Sequence, residues 1–481
     1  MAQSSTKQTF FFYDLETSGI NPRTARIMQF AGQRTDMDLN PVGDPYNFLI
    51  KLPEDVLPEP GAILVTGITP QQTWINGLTE AEFFKIFCEE IVQPDTIFVG
   101  FNSIRFDDEF IRFGLYRNFY DAYEWQWANG TSRWDILDLS RITRALRPEG
   151  IKWPFASDGK PANRLELLTS VNRLSHDSAH DALSDVNATI AVAKMINQKQ
   201  PKLFKYLLEM RSKKAVQEFI TNNSTFVYVS GQYNSDYEKL TVVTPLGAHP
   251  QKQGVFVYDL RIDPEKYINL SPEELAKVWT YNKDPDADRL PVKTLQFNKS
   301  PAIAPVNTLL PGDKERLKVD DKVIAHNLKT LKDAKDFYPK LLKAVEIMDK
   351  NRKQEEIVID GSNVDAKLYD GFVETGDKKI ARDLRRSSPE QITEFASKFT
   401  DQRYKALVPL YKARNYPKTL TDSERQSWEA HKNSIISGSL PEFIKSIQDL
   451  SQKLDMTQNS KYILEELTMY AESIAPEELY S

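Results

Sequence analysis

The sequence predicts three regions in series: an α/β domain, a β-rich domain and an all-helical domain. Three observations predict this. Up to about Asn197, short apolar runs alternate with segments of helical spacing, the pattern of a layered α/β structure. From about Pro201 to Lys350, runs rich in Val, Tyr, Phe and Thr are divided by turn residues. From about Asp360, helix-start signals recur. At roughly 100–200 residues per domain, a chain of 481 residues holds about three, placed at 1–198, 199–355 and 356–481.

In the first region Phe10–Tyr13 and Thr96–Phe101 read as strands, and Glu80–Ile91 and Ala182–Ile196 as helices. Met1 to Thr9 is polar, lacks an apolar signal-peptide core and reads as a short frayed tail. The second region opens with a helix around Leu203–Ile220. Strands follow at Ser224–Ser230, Leu240–Thr244 and Val255–Leu260, which points to a small barrel or sheet. It closes with helical spacing over Asp313–Asn351. In the third region Ser388-Pro389-Glu390-Gln391, Thr421 with Glu424, and Ser439-Leu440-Pro441-Glu442 each read as a capped helix start.

Composition narrows the function classes. Hydrophobic residues make up 40% and charged residues 27%, as in an ordinary globular protein. No run of about 18 apolar residues exists, so neither a membrane span nor a membrane partner is expected. The one cysteine, Cys88, excludes an intramolecular disulfide and makes the cytoplasm the expected compartment. Cys88 reads as a core residue of an amphipathic helix. A net charge of −6 argues against a uniformly basic surface but is compatible with a local basic groove for phosphates.

The chemistry is concentrated in acidic residues. The apolar run Phe10-Phe11-Phe12-Tyr13 ends in Asp14-Leu15-Glu16-Thr17. Residues i and i+2 of a strand share a face, so Asp14 and Glu16 emerge side by side. Two such like charges are costly unless a cation sits between them. A second apolar strand runs into Asn102-Ser103-Ile104-Arg105-Phe106-Asp107-Asp108-Glu109, and His180-Asp181-Ala182-Leu183-Ser184-Asp185 opens an Ala-rich helix. For Asp108, Glu109 and Asp181 the plain reading is a helix start that favours acids.

The order Asp-x-Glu, Phe-Asp and His-x4-Asp resembles the three exonuclease motifs of the DEDD superfamily, in its histidine-bearing branch with a ribonuclease-H-like fold. The resemblance implies that Asp14, Glu16, Asp107 and Asp185 hold two Mg²⁺ ions, with Mn²⁺ as a substitute, and that His180 is the general base. Oxygen ligands suit Mg²⁺, two ions can clamp the attacking and leaving oxygens, and an imidazole can take a proton near neutral pH. The pair His176 and His180 has zinc spacing but lacks the Glu that follows the first His in a zinc protease. Tyr258-Asp259-Leu260-Arg261 echoes the first motif but puts Arg where the second carboxylate belongs, and reads as a structural strand end.

Further stretches extend the resemblance over nearly the whole chain to bacterial exonuclease I. They are Thr66-Gly67-Ile68-Thr69-Pro70-Gln71, where the superfamily often has His in place of Thr66, then Arg144–Gly150, Asn298-Lys299-Ser300-Pro301, Asn363-Val364-Asp365-Ala366 with Leu368-Tyr369, and Tyr411–Pro417. That family joins an exonuclease domain, an SH3-like domain and a helical C-terminal domain around single-stranded DNA, which it degrades from the 3′ end in repair and recombination. By resemblance Thr66 and Arg164 meet the terminal nucleotide, and Glu16 and Thr17 bind substrate. Arg112, Tyr123, Trp127 and Arg141 contact the strand, and Lys299 reaches it from the second domain. Trp125 and Trp134 lie in the same aromatic stretch, where core is the plain reading for any one ring.

The family also binds the acidic C-terminal tail of the single-stranded-DNA-binding protein, which places Arg147, Tyr206, Arg316 and Leu331 in a docking site. A monomer is expected. The competing readings are a 3′→5′ exoribonuclease of the same superfamily, a catalytically inactive nucleic-acid-binding protein, and a zinc hydrolase.

Overall fold

A computed structural model describes residues 8–176, 180–280, 289–360, 363–453 and 456–476, with backbone alone for 353–360. Met1–Lys7 of the expected tail lie outside the described residues. The chain forms two compact units. The first contains residues up to Thr131, His176–Asn187 and the chain from residue 362 on; the second contains Ser132–Ser175 and Ala188–Gly361.

In the first unit β1 (Thr9–Thr17) pairs antiparallel with β2 (Ile27–Thr35), which pairs with β3 (Tyr46–Leu49); β1 also pairs in parallel with β4 (Thr96–Gly100). β1 is thus interior to the sheet, and Phe10, Phe11 and Phe12 are all fully buried. A strand covered on both faces reads as a continuous apolar run. Phe11 joins Phe30, Phe83, Phe98 and Trp125 in the core of this layer. The Glu80–Ile91 segment is α-helical to Ile86 and then widens into a π turn over Phe87–Ile91. The widening coincides with Phe87 packing edge-on to Trp125, ring centroids 5.6 Å apart.

Among the described residues from 363 on, all regular structure is helical. Phe113, Tyr116 and Phe119 pack with Leu384, Leu407 and Tyr411, and Met28 and Ile63 pack with Leu440, Phe443, Leu464 and Leu467. The Thr421 capping box forms as expected. The start expected at Ser439 does not: Pro441 lies inside the helix Asp422–Ser451. Burial of Leu440 and Phe443 against the first region outweighs the local start signal.

Buried charges also join the first and last parts of this unit. Asp365 takes Arg26 Nη2 at 2.5 Å and Arg414 Nη2 at 2.7 Å, and Arg414 Nη2 continues to Asp55 at 2.6 Å. Arg117 pairs with Glu80 at 2.8 Å nearby. Every one of these groups is nearly inaccessible to solvent.

The second unit begins with the short strand β5 (Ser132–Asp135) and holds a five-stranded antiparallel sheet. Its strands are β6 (Phe226–Val229), β7 (Leu240–Ala248), β8 (Gly254–Asp259), β9 (Val292–Gln296) and β10 (Ile303–Pro305), in the order β10-β6-β7-β8-β9. The helix expected over Leu203–Ile220 is two helices, Pro201–Glu209 and Lys213–Asn222, because Ser212 caps the second one. Met210, Val216 and Ile220 cover the sheet core around Phe226, Val243 and Val257. Asp313–Asn351 is helical in three pieces, Pro311–Arg316, Asp321–Asp333 and a helix from Phe337 on. Among the described residues no helix is long and apolar enough to cross a membrane.

Candidate active site

β1 carries Asp14 and Glu16 on one face, as its two-residue period requires, and a register shift follows between Glu16 and Thr17. Asp185 comes from the first turn of the helix Ala182–Lys199. One carboxylate oxygen from each of Asp14, Glu16 and Asp185 lies within 4.8 Å of the others. Asp107 opens the helix Asp107–Arg117 and is buried close enough to bear on both Asp14 and Glu16. Residues from three separate elements thus converge.

Electrostatics shows what this cluster needs. Burial, then the Asp107, Glu16 and Asp185 charges, pushes the Asp14 carboxyl well up. Burial, then Asp185 and Asp107, pushes Glu16 up to about 8. Four oxygen-donor carboxylates that repel one another fit a hard divalent cation, which would neutralise the repulsion. A linkage follows. Raised carboxyl pKa values mean that the metal-free site holds protons at neutral pH, and a cation must displace them. Mn²⁺ affinity should therefore rise with pH up to about 8 for Glu16, with proton release on binding. Calorimetry in buffers of different ionisation enthalpy measures it, and a pH-independent affinity would contradict the cluster.

The histidines divide in an unexpected way. His176 Nε2 lies 2.5 Å from Asp185 Oδ1. His180 has a left-handed backbone, φ +67°, its amide donates to the Asp185 carboxylate, and its residue is exposed. Both histidines of the zinc-spaced pair thus meet Asp185, one through its ring and the other through its backbone; residues 177–179 between them lie outside the described residues. Two supporting side chains had no signal of their own. Gln29, opposite Glu16 in the sheet, donates to Asp181 at 3.3 Å and accepts from the Ala182 amide at 3.4 Å. Asp181 caps the helix through the Ser184 amide at 3.0 Å, which agrees with its plain reading. Tyr13 donates from its hydroxyl to buried Asp108.

The other expected contacts fall in both units. Thr17 is buried, its Oγ1 donating to Gly19 O at 2.8 Å. Thr66 ends the helix Pro60–Thr66, and Gly67 follows at φ +71°, a left-handed position that favours glycine. Arg112 bonds to Glu109 and, at 2.8 Å, to Gln126, beside the Tyr123 ring. Trp125 is core, whereas Trp127 is 65% exposed. Tyr123 and Trp127 line a cavity of about 340 Å³ with Tyr120, Phe372, Lys378 and Arg385. Phe372, 89% exposed just beyond the Leu368-Tyr369 stretch, carries no motif in the sequence.

In the second unit Arg141 pairs with Asp138 at 2.8 Å, Arg164 is exposed beside Glu166, and Lys299 lies between Asn298 and Ser300, which both bond to Arg133. Trp134 packs on Phe204 as core. Arg147 and Arg316 both turn to Asp313, at 3.7 and 3.2 Å. Tyr206 packs on the sheet core and Leu331 is buried on the helix Asp321–Asp333.

A ribonuclease-H-like α/β layer with converging carboxylates at a strand end defines a metal-dependent exonuclease. Family models agree along the chain: an exonuclease over residues 11–193, the exonuclease I SH3-like domain over 211–346 and the exonuclease I C-terminal domain over 362–474. The chain belongs to the exonuclease I family, and it is an exodeoxyribonuclease. Exodeoxyribonuclease I of Haemophilus influenzae is 40% identical over 464 residues, covering 94% of this chain and 97% of the relative. Escherichia coli exonuclease I in complex with a dA16 oligonucleotide superposes with a TM-score of 0.91 at 37% identity, over 97% of this chain and 100% of that one. A structure of SSB/exonuclease I with an inhibitor superposes with a TM-score of 0.88 at 36% identity, over 98% and 100%.

Proposed function

We propose that the protein degrades single-stranded DNA from the 3′ end to 5′-mononucleotides, with Mg²⁺ as the working cation. The observation that carries this is the convergence of Asp14, Glu16 and Asp185 within 4.8 Å, with Asp107 beside them. These four residues would hold two cations, whose chemistry is to polarise the phosphodiester and lower the pKa of the attacking water. The chain's own residues do the rest. Glu16, Thr17, Thr66 and Arg164 hold the terminal nucleotide, Arg112 and Arg141 bind phosphates, and Tyr123 and Trp127 offer faces for stacking. Lys299 adds a phosphate contact. The relative bound to a dA16 oligonucleotide supports single-stranded DNA over RNA. Digestion time courses on 3′- and 5′-labelled strands of DNA and RNA test the reading, and equal rates on the two sugars would turn it toward the exoribonuclease.

His180 is assigned the proton from the attacking water, and its exposed position leaves the ring free to turn toward substrate. His176 is assigned to hold Asp185. His180→Ala should cost on the order of 10²–10⁴ in rate. His176→Ala should instead raise the metal concentration at half-maximal rate. Single-turnover rates against Mg²⁺ separate the two, and the opposite pattern would exchange the roles.

The division into domains at 1–198, 199–355 and 356–481 is supported by the spans of the three family models. Repair and recombination, a cytoplasmic location and a monomeric state complete the reading. The relative paired with SSB supports a docking site for the acidic tail of that protein at Arg147, Arg316, Tyr206 and Leu331. Both arginines already face Asp313, so an incoming carboxylate competes for two cations held in place. Arg147→Ala with Arg316→Ala should weaken a tail peptide at least tenfold by fluorescence anisotropy, with naked-strand cleavage near wild type. Unchanged peptide affinity would remove the site.

A further inference from the structure

The segment Val364–Asp370 is a 3₁₀ turn of the C-terminal region, remote in sequence from the carboxylates, yet it touches both elements that flank them. On one side Asp365 holds Arg26 Nη2 at 2.5 Å. The backbone of Arg26 is in turn bonded twice to the turn after β1: Ser18 N donates to Arg26 O at 2.9 Å, and Arg26 N donates to Ser18 Oγ at 2.9 Å. Ser18 is two residues beyond Glu16, just past the register shift between Glu16 and Thr17. Ser18 O also accepts from the Glu59 amide at 2.7 Å, so the turn is fastened from two directions.

On the other side Tyr369 donates to Glu109, which pairs with Arg112 on the helix that Asp107 opens. The Tyr369 ring stands edge-on to Phe113, centroids 5.6 Å apart, and Tyr116 donates to Val364 O at 3.0 Å. Four residues of that one helix, Glu109, Arg112, Phe113 and Tyr116, therefore sit against or next to a single short turn. Arg414 holds the turn itself, with Nη1 on Asp365 Oδ1 at 2.9 Å and Nη2 on Oδ2 at 2.7 Å.

We infer that Val364–Asp370 is a positioning element of the metal centre, fixing the Glu16 strand end through Asp365 and Arg26 and the Asp107 helix through Tyr369 and Glu109. The inference rests on the metal-site reading above. Its physical basis is preorganisation. Mutually repelling carboxylates drift apart unless their backbones are held, and small misplacements of metal ligands cost affinity because octahedral Mg²⁺ demands near-ideal geometry. The Arg414–Asp365 pair, bidentate and largely desolvated, fixes the direction of the carboxylate that holds Arg26. The C-terminal region thereby acts on the chemistry.

Calorimetric titration of the metal-free full-length protein with Mn²⁺, without DNA, tests it. Asp365→Asn keeps the shape but loses the charge, and should raise the Mn²⁺ dissociation constant at least fivefold. Tyr369→Phe, which deletes one hydroxyl, should raise it two- to threefold. Ile474→Ala, buried in another cluster of the same unit, serves as the control for general destabilisation and should stay within twofold of wild type while lowering the melting temperature. If Asp365→Asn does not fold, Arg26→Lys takes its place with the same expectation, since an ammonium cannot hold Asp365 and the Thr24 and Ala25 carbonyls together as the guanidinium does. Dissociation constants within twofold of wild type for the Asp365 or Arg26 variant and for Tyr369→Phe would overturn the inference, as would an equal rise in Ile474→Ala. Absence of Mn²⁺ binding in the wild type would overturn the metal-site reading itself, and the wild-type titration distinguishes that case from the other two.

Discussion

Asp14→Ala removes a metal ligand from the middle of the carboxylate cluster and is expected to abolish cleavage, to less than a few per cent of the wild-type rate. Asp14 feels Asp107, Glu16 and Asp185 at once, so no neighbour can take over its place without moving a strand. Single-strand binding should stay within about tenfold, because Arg112, Tyr123 and Trp127 lie on other elements. Loss of a repelling carboxylate should also leave the metal-free protein at least as stable as wild type, since burying like charges together is costly. Cleavage assays in Mg²⁺, strand binding in EDTA and thermal unfolding make the three measurements. Retention of more than a few per cent of the rate would show that the cation is held elsewhere.

Arg414→Ala is expected to destabilise the protein by about 3–5 kcal/mol, the usual cost of leaving buried partners without their counter-charge. Arg414 bridges Asp55 and Asp365, all three nearly inaccessible. The two carboxylates then carry a pH dependence with a definite sign. Burial opposes their charged forms, but the Arg414 and Arg26 guanidinium groups outweigh it, holding Asp365 down to about 2 and Asp55 lower still. A carboxylate with a depressed folded-state pKa contributes stability that is complete above its unfolded value near 4 and is lost as pH falls through the folded value. In the wild type this contribution should fade from about pH 4 to about pH 2. In Arg414→Ala most of it should already be missing at pH 7. Denaturant unfolding at pH 7 and pH 3 measures both; a loss under about 1 kcal/mol at pH 7 would mean that water replaces the guanidinium without penalty.

Much of the site was legible because its determinants are local. Asp14 and Glu16 follow from the two-residue period of a strand, and Phe10–Phe12 signalled that this strand is interior. Asp107 and Asp185 had no local distinction from other acids at helix starts, and only their order along the chain marked them. Asp181 turned out to be the cap its position suggested. What was not legible depends on where the fold brings a side chain. Gln29 is an ordinary strand residue until the fold brings it to the start of the Ala182 helix, 153 positions away, and the spacing of His176 pointed to zinc while its ring turns to Asp185, nine positions on. Trp125 and Trp127 are two residues apart with opposite fates, because the chain there turns through short 3₁₀ segments with neither a strand nor a helix period to sort them. Pro441 looked like a helix start, yet packing of Leu440 and Phe443 carries the helix through it.

The first compact unit joins segments far apart along the chain, and this has a consequence for how the protein is made. Arg26 is separated from Asp365 by 339 positions and Asp55 from Arg414 by 359. At roughly 5–20 residues per second, a ribosome needs on the order of 20–70 seconds between delivering one side of these pairs and the other. During that interval Met28, Ile63, Phe113 and Tyr116 have no C-terminal partners to cover them, and Arg26 and Asp55 have no counter-charges. If the Val364–Asp370 turn positions the metal centre as inferred above, a ribosome-bound nascent chain carries Asp14, Glu16 and Asp107 without that support until the turn emerges.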